Sequence, residues 1–405
     1  MSPLTRVVRS RAVGLLGAMT AVVATWTVAA PAAQADDMRS RQWYLDAMKA
    51  DQMWKVATGK GITVAVVDSG VDSTLPELHG NVLPGHDFDL GGLGRVDDKD
   101  TDRHGTNMAL AIAGSGADSG VKGIAPGATI LPVRTGASFG VDWKTTYKAV
   151  RYAVDNGARV INISLAGAAR ESDSADWRAT VDYARKKGAL IFAGSGNDGS
   201  GAPVYPAAIP GVVAVGALDT KGKVAKFSNY GSHLALAAPG VEIPGRCTSD
   251  KNKFCAGRGT SQATAIASGT AALIWSAHPD WTGNQVLRVM LETAGHNGPV
   301  PSKYIGYGSV RPAQVLLEGK GDPGDPNVDP LLAAQGAGPS SKPSSGQSPT
   351  TSQTSPSPEN TGAAAEGSDA SGFPLWAIAA SAIAVVAVVG IVVAVGVRRR
   401  ASTDA

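Results

Sequence analysis

The sequence is short of cysteine, of aromatic residues and of concentrated charge. It has two cysteines in 405 residues, and its six histidines include His79, His86, His233, His278 and His296. None of these five stands at metal-ligand spacing from another His or Cys, so no metal site is read from them. Asp97, Asp98 and Asp100 could attract calcium, but they lack the regular spacing of a calcium loop and read as a solvated turn. The net charge is +3 and spread along the chain, with no basic cluster to mark a nucleic-acid surface. There is no internal repeat and no aromatic-rich exposed strand pattern, which argues against a surface adhesin. Aromatics make up 5% against 50 glycines, a balance that suits close helix–sheet packing.

The two ends carry the long apolar runs. Arg6, Arg9 and Arg11 precede an apolar stretch over 13–30, and Ala33-Gln34-Ala35 offers small residues for cleavage before Asp36. This reads as a signal peptide over 1–35. The competing reading, a first transmembrane helix, fits less well because the run is short and ends in Ala and Pro. No adjacent Arg pair is present, which favours the general secretion route. At the other end, 373–397 is almost all Ala, Val and Ile without charge. A helix of that length spans about 37 Å, enough to cross a bilayer with some tilt. Arg398, Arg399 and Arg400 follow at once and place 398–405 in the cytoplasm, with the large N-terminal part outside. Between them, 319–372 is rich in Pro, Ser, Thr, Gly and Ala and reads as an unfolded stalk. A folded domain over 41–318 remains.

Within that domain, short apolar runs alternate with helical patterns. Strands are predicted over 63–67, 130–133, 160–163, 190–193 and 212–215. Helices are predicted over 106–113, 143–155, 176–187, 263–277 and 284–293. Alternating β and α units imply an α/β fold, a parallel sheet with helices on both faces. Sites in such sheets form at the carboxyl ends of strands, and Asp68 directly follows the first one.

Three short segments bear chemistry: 64–70 with Asp68, 103–106 with His104, and 257–263 with Ser261. Taken singly, each has a bland explanation: a turn Asp, a surface His, a helix N-cap Ser. Together they supply what a serine nucleophile needs. A hydroxyl reacts only when a base takes its proton, His does so near neutral pH, and a carboxylate fixes the His tautomer and stabilises the imidazolium. A helix starting at Ser261 would help stabilise developing negative charge.

The chain resembles the subtilase family from about residue 42 to 316. The matching stretches are VAVVDSGVD (64–72), RHGTNMALAIAG (103–114), GIAPGATILPVR (123–134), VINISLAG (160–167), FAGSGNDG (192–199), YPAAIPGVVAVGA (205–217), FSNYG (227–231) and GTSQATAIASG (259–269). Asp, His and Ser follow each other in the order known for subtilisins. The resemblance implies a subtilisin-like fold and a serine endopeptidase that needs no cofactor. Asp68 becomes the orienting carboxylate, His104 the general base and acid, and Ser261 the nucleophile. Asn197, which could otherwise be a turn residue, becomes the oxyanion donor. The pocket for the side chain before the scissile bond becomes Ser164, Leu165, Ala166 and Gly167 on one wall and Ala193 and Gly194 on the other. Val204 becomes its floor.

The chain also departs from the family pattern. Asn107 stands where a second His is usual. Gln262, Ala265 and Ile266 replace the usual apolar residue, Pro and His after the nucleophile. Cys247 and Cys255, an even pair close in sequence in a secreted chain, are expected to form a disulfide. Closing so short a loop stabilises by roughly 2.5 kcal/mol in the chain-entropy picture. Few residues separate the cleavage site from Arg41 and Trp43, so no independently folding prodomain is expected. Together with the stalk and anchor, this layout resembles the mycosins, subtilases attached to type VII secretion systems of actinobacteria. The expected partners are a protein or peptide substrate, the cell membrane through the C-terminal helix, and a type VII secretion complex. The competing reading makes the chain a structural subunit of such a complex, with proteolysis secondary.

Overall fold

The computed structural model describes residues 38–88, 103–135, 142–168 and 171–334. Seven strands form one sheet: β1 (Thr63–Asp68), β2 (His86–Asp87), β3 (Thr129–Arg134), β4 (Val160–Ile163), β5 (Leu190–Gly194), β6 (Val213–Leu218) and β7 (Leu234–Pro239). Their order is β2-β3-β1-β4-β5-β6-β7, and every neighbouring pair runs parallel. The parallel sheet of an α/β fold expected from the sequence is therefore present. A separate antiparallel hairpin joins β8 (Val241–Arg246) to β9 (Phe254–Arg258).

Among the described residues, five helices have ten residues or more: α1 (His104–Ala113), α2 (Trp143–Asp155), α3 (Glu171–Lys186), α4 (Thr260–Ala277) and α5 (Gly283–Glu292). Parallel strands covered on both faces lose the alternation of polar and apolar residues. In β1, Val64 and Val66 point into one core with Met108, Ile112 and Ile266, while Ala65 and Val67 point into the other with Val150 and Val181. Helix α4 is apolar around most of its circumference, as a helix running through a core must be, and it touches β4, β5, β6 and β7.

β1 and β4 are neighbours whose chains leave in opposite directions, β1 toward β2 and β3, β4 toward β5. That divergence opens a crevice at their carboxyl ends. Asp68 ends β1 and Ser164 follows β4, so both stand at its rim.

Two expectations change. The helices carrying His104 and Ser261 start earlier than the apolar pattern indicated, at His104 and Thr260, because polar residues of a first turn do not show apolar periodicity. The folded part also runs past 318. Asp329 pairs with Arg185 at 2.7 Å, Asn284 donates to the Pro326 carbonyl at 2.9 Å, and Leu331 is buried. Residues 319–334 thus belong to the domain, held by side chains of α3 and α5 rather than by an apolar run of their own. The expected signal peptide, most of the expected stalk, the segment 373–397 read as a membrane helix, the arginine triplet and the acidic run 97–100 lie outside the described residues. Among the described residues, no helix is long and apolar enough to cross a membrane, and no group of three or more His, Cys, Asp or Glu could hold a metal ion.

Candidate active site

Asp68 is wholly buried at the end of β1. Its Oδ1 accepts from the Ser69 N–H at 2.7 Å and the Ser69 hydroxyl at 3.1 Å, and lies 2.8 Å from His104 Nδ1. A carboxylate oxygen only accepts, so this contact puts the proton of a neutral imidazole on Nδ1 and leaves Nε2 with its lone pair. About a third of the His104 side chain remains accessible, 34% against 0% for Asp68. The imidazole can meet another molecule and the carboxylate cannot.

The sequence around His104 explains how the helix comes this close. A Cβ on Gly105 would lie 2.2 Å from the Gly70 carbonyl oxygen and 3.0 Å from the Asp68 Cβ, so only glycine lets α1 press against the strand end. The Gly105 N–H donates to Ser69 Oγ at 3.0 Å, and Thr106 Oγ1 accepts from the Asp72 N–H at 2.9 Å.

Ser261 is the second residue of α4. Its hydroxyl donates to the Ser164 carbonyl at 3.2 Å, and the Ser164 hydroxyl donates to the Ser261 carbonyl at the same distance. Beneath this pair, Asn162 Nδ2 donates to Ser164 Oγ at 3.0 Å and the Ser268 hydroxyl donates to Asn162 Oδ1 at 3.1 Å. All four residues are buried. A buried polar network satisfied in this way fixes geometry, and it ties β4 to two turns of α4.

Asn197 stands on the loop after β5. Its Oδ1 accepts from the Thr260 N–H at 2.8 Å and from the Thr260 hydroxyl at 3.1 Å. With both bonds on the oxygen, the carboxamide nitrogen is free to donate elsewhere. Thr260 is the residue before Ser261, so amide and nucleophile share one anchor.

The remaining sequence-derived residues fall around the same crevice. Ser164 and Leu165 are buried, Ala166 is exposed and Gly167 half-buried. Gly167 exchanges both main-chain hydrogen bonds with Tyr205, which joins the wall to the segment holding Val204. Val204 Cγ2 is 3.4 Å from the point where a Cβ on Gly196 would sit. Ala193 has its methyl in the core between the sheet, α2 and α3, so it can offer substrate only main chain. Gly194 is buried against Thr260.

The departures from the family pattern are accounted for locally. Asn107 Nδ2 donates to the Arg246 carbonyl at 3.0 Å and its Oδ1 accepts from the Arg246 N–H at 2.7 Å. One amide thus clamps α1 to β8 as a strand partner would. The Arg246 guanidinium donates to Glu77, itself fully buried, at 2.7 Å. Cys247, just after β8, is joined to Cys255 in β9 by a disulfide. Gln262, Asn107 and this hairpin line an open pocket of about 390 Å³ beside the start of α4. Ala265 and Ile266 are core residues. Neither the Asn162–Ser268 link nor the Thr260 anchor is legible in the sequence, because both join segments remote in the chain.

A buried Asp paired with an accessible His, a serine at a helix start and a neighbouring carboxamide, gathered at the carboxyl end of a parallel sheet, define a serine hydrolase of the α/β class. The subtilase family profile matches residues 59–308, more than half of the chain, and the chain belongs to that family. It is a serine protease, a hydrolase of peptide bonds. Thermitase of Thermoactinomyces vulgaris is 37% identical over 243 residues, covering 58% of this chain and 83% of its own. The crystal structure of MycP1 from Mycobacterium smegmatis superposes with a TM-score of 0.62 at 28% identity, covering 71% of this chain and 86% of that one. The MycP3 protease from the type VII (ESX-3) secretion system gives a TM-score of 0.56 at 30% identity, covering 68% and 87%.

Proposed function

We propose that this protein is a mycosin-like endopeptidase that cleaves extracytoplasmic proteins through Asp68, His104 and Ser261, with Asn197 as oxyanion donor. The observation that carries the reading is the 2.8 Å contact of buried Asp68 with His104 Nδ1, at the same crevice as Ser261. His104 Nε2 takes the Ser261 proton as Oγ attacks the substrate carbonyl carbon. The carbonyl oxygen becomes an oxyanion, which Asn197 Nδ2 and the start of α4 stabilise. His104 then gives the proton to the leaving amine, and water repeats the sequence on the acyl-enzyme. A fluorophosphonate probe tests this directly. It should label wild type and leave Ser261→Ala unlabelled; an unlabelled wild type means that Ser261 is not activated.

The mycosin-like assignment draws on the likeness to MycP1 and MycP3 and on the two apolar ends of the sequence. In this reading the chain is secreted, anchored by 373–397 and associated with a type VII secretion complex. A chain ending after Ala334 should be secreted in soluble form. If it still pellets with membranes after a high-salt wash, a single C-terminal anchor cannot be the explanation.

Substrate choice follows from Val204. Placed against Gly196, its branched side chain takes space that a large residue before the scissile bond would fill. Forcing an aromatic ring against it costs about 1–3 kcal/mol, the usual penalty for overpacking. Small residues such as Ala should be preferred over Phe by about tenfold or more in kcat/KM. Val204→Gly should shift the preference toward larger side chains. A peptide series varying only that residue decides the matter; a wild type that already prefers Phe contradicts the pocket assignment.

A further inference from the structure

The loop that presents Asn197 is held from below by one residue of the FSNYG segment. Asn229 is 1% exposed. Its Oδ1 accepts from the Asp198 N–H at 2.8 Å and from the Ser200 N–H at 3.0 Å. Its own N–H donates to the Gly196 carbonyl at 3.0 Å, and its carbonyl accepts from the Ser195 hydroxyl at 3.1 Å. Two flanking bonds extend the contact: the Gly199 N–H donates to the Phe227 carbonyl at 2.7 Å and the Tyr230 N–H to the Ser200 carbonyl at 3.0 Å.

The remaining atom of the side chain is informative. Asn229 Nδ2 is buried and has no hydrogen-bond partner. An unpaired buried N–H is unfavourable, so the hydrogen bonding of this carboxamide rests on its oxygen. Nδ2 is also packed beneath the loop: a Cβ on Gly196 would lie 2.3 Å from it. Gly196 has φ +101°, a conformation that favours glycine. Shape and hydrogen bonds, from the main chain and the side chain of this one residue, together hold the loop.

Asn197 lies between Gly196, whose carbonyl accepts from the Asn229 main-chain N–H, and Asp198, whose N–H donates to the Asn229 side chain. The tip of the Asn197 side chain is fixed by Thr260 and its base by Asn229. A hydrogen bond to a developing oxyanion weakens steeply with angle, and the donor must be aimed before the charge forms. We propose that Asn229 is a positioning residue for the oxyanion donor, fixing the main chain on both sides of Asn197 so that Nδ2 points at the reacting carbonyl oxygen. This rests on the oxyanion role given above to Asn197.

The test is a double-mutant cycle on the purified protein with a peptide substrate. Asn197→Ala should lower kcat about 10²–10³-fold, the scale known for one oxyanion donor in subtilisins. Asn229→Ala should lower kcat by about 10- to 100-fold with KM within about twofold, because the interaction it aims exists only in the transition state. In the Asn197→Ala background the further loss from Asn229→Ala should be under about threefold, because the donor it positions is already gone. Gly196→Ala offers a second route to the same effect without removing a core side chain. Its Cβ presses on Asn229 Nδ2 and shifts the loop, and its loss should likewise vanish in the Asn197→Ala background. The proposal is overturned if the losses multiply in the double variants, or if both Asn229→Ala and Gly196→Ala keep wild-type kcat. An Asn197→Ala enzyme with unchanged kcat is a different failure: it removes the oxyanion assignment itself, and this proposal with it.

Discussion

Purified Ser261→Ala protein should fold as wild type does and hydrolyse peptides on the order of 10⁶-fold more slowly, the scale on which subtilisins lose kcat with their nucleophile. The hydroxyl makes one bond in the free protein, to the Ser164 carbonyl at 3.2 Å. A carbonyl has a second lone pair and tolerates the loss of a single long bond, so the effect on stability should be small. In the proposed mechanism the chemistry depends on this oxygen entirely, since the neighbouring Thr260 hydroxyl is committed to Asn197. His104→Ala should cost nearly as much, and the double variant little more than either single one, because residues acting as one unit are strongly non-additive. Turnover by either single variant at the wild-type rate would remove the assignment, provided circular dichroism shows the same fold.

The parts of the site readable in the sequence are those set by short segments. β1, β4 and β5 are buried on both faces and appear as apolar runs, and Asp68 and Ser164 stand at the ends of two of them. Other features depend on partners far along the chain. β7 (Leu234–Pro239) is mostly alanine and leucine next to a glycine, a composition equally suited to a helix, and only its pairing with β6 makes it a strand. Asn107 read as a departure from a histidine position. Its use as a clamp on Arg246 joins residues 139 apart in sequence. The first turn of α4 shows no periodicity, so Thr260 gave no sign of holding Asn197. The segment 319–334 has a linker's composition but docks through side chains of α3 and α5, whose hydrogen-bond partners no composition reveals.

Asp68→Asn should lower kcat on the order of 10⁴-fold at neutral pH, the scale known for the orienting carboxylate of serine proteases. Asp68 Oδ1 meets three groups: the Ser69 N–H, the Ser69 hydroxyl and His104 Nδ1. Asparagine can keep its oxygen there or turn its NH₂ there. Turned inward, the NH₂ faces the Ser69 N–H donor to donor, and His104 Nδ1 must become an acceptor. The imidazole proton then sits on Nε2, where it cannot receive the Ser261 proton. With the oxygen inward the tautomer survives, but the charge that stabilises the imidazolium is gone. That charge acts from a site shielded from water, where electrostatic interactions are strong. Each orientation loses one of the two things the carboxylate supplies, and both losses fall on the transition state, so KM should change little. Fluorophosphonate labelling should slow in parallel, since it uses the same base. The fold should persist, because a neutral amide is easier to bury than a carboxylate and the second oxygen of Asp68 has no partner to lose. A folded Asp68→Asn enzyme with kcat within tenfold of wild type would show that His104 works without a buried anion behind it, and Asp68 would then be a structural residue of the strand end.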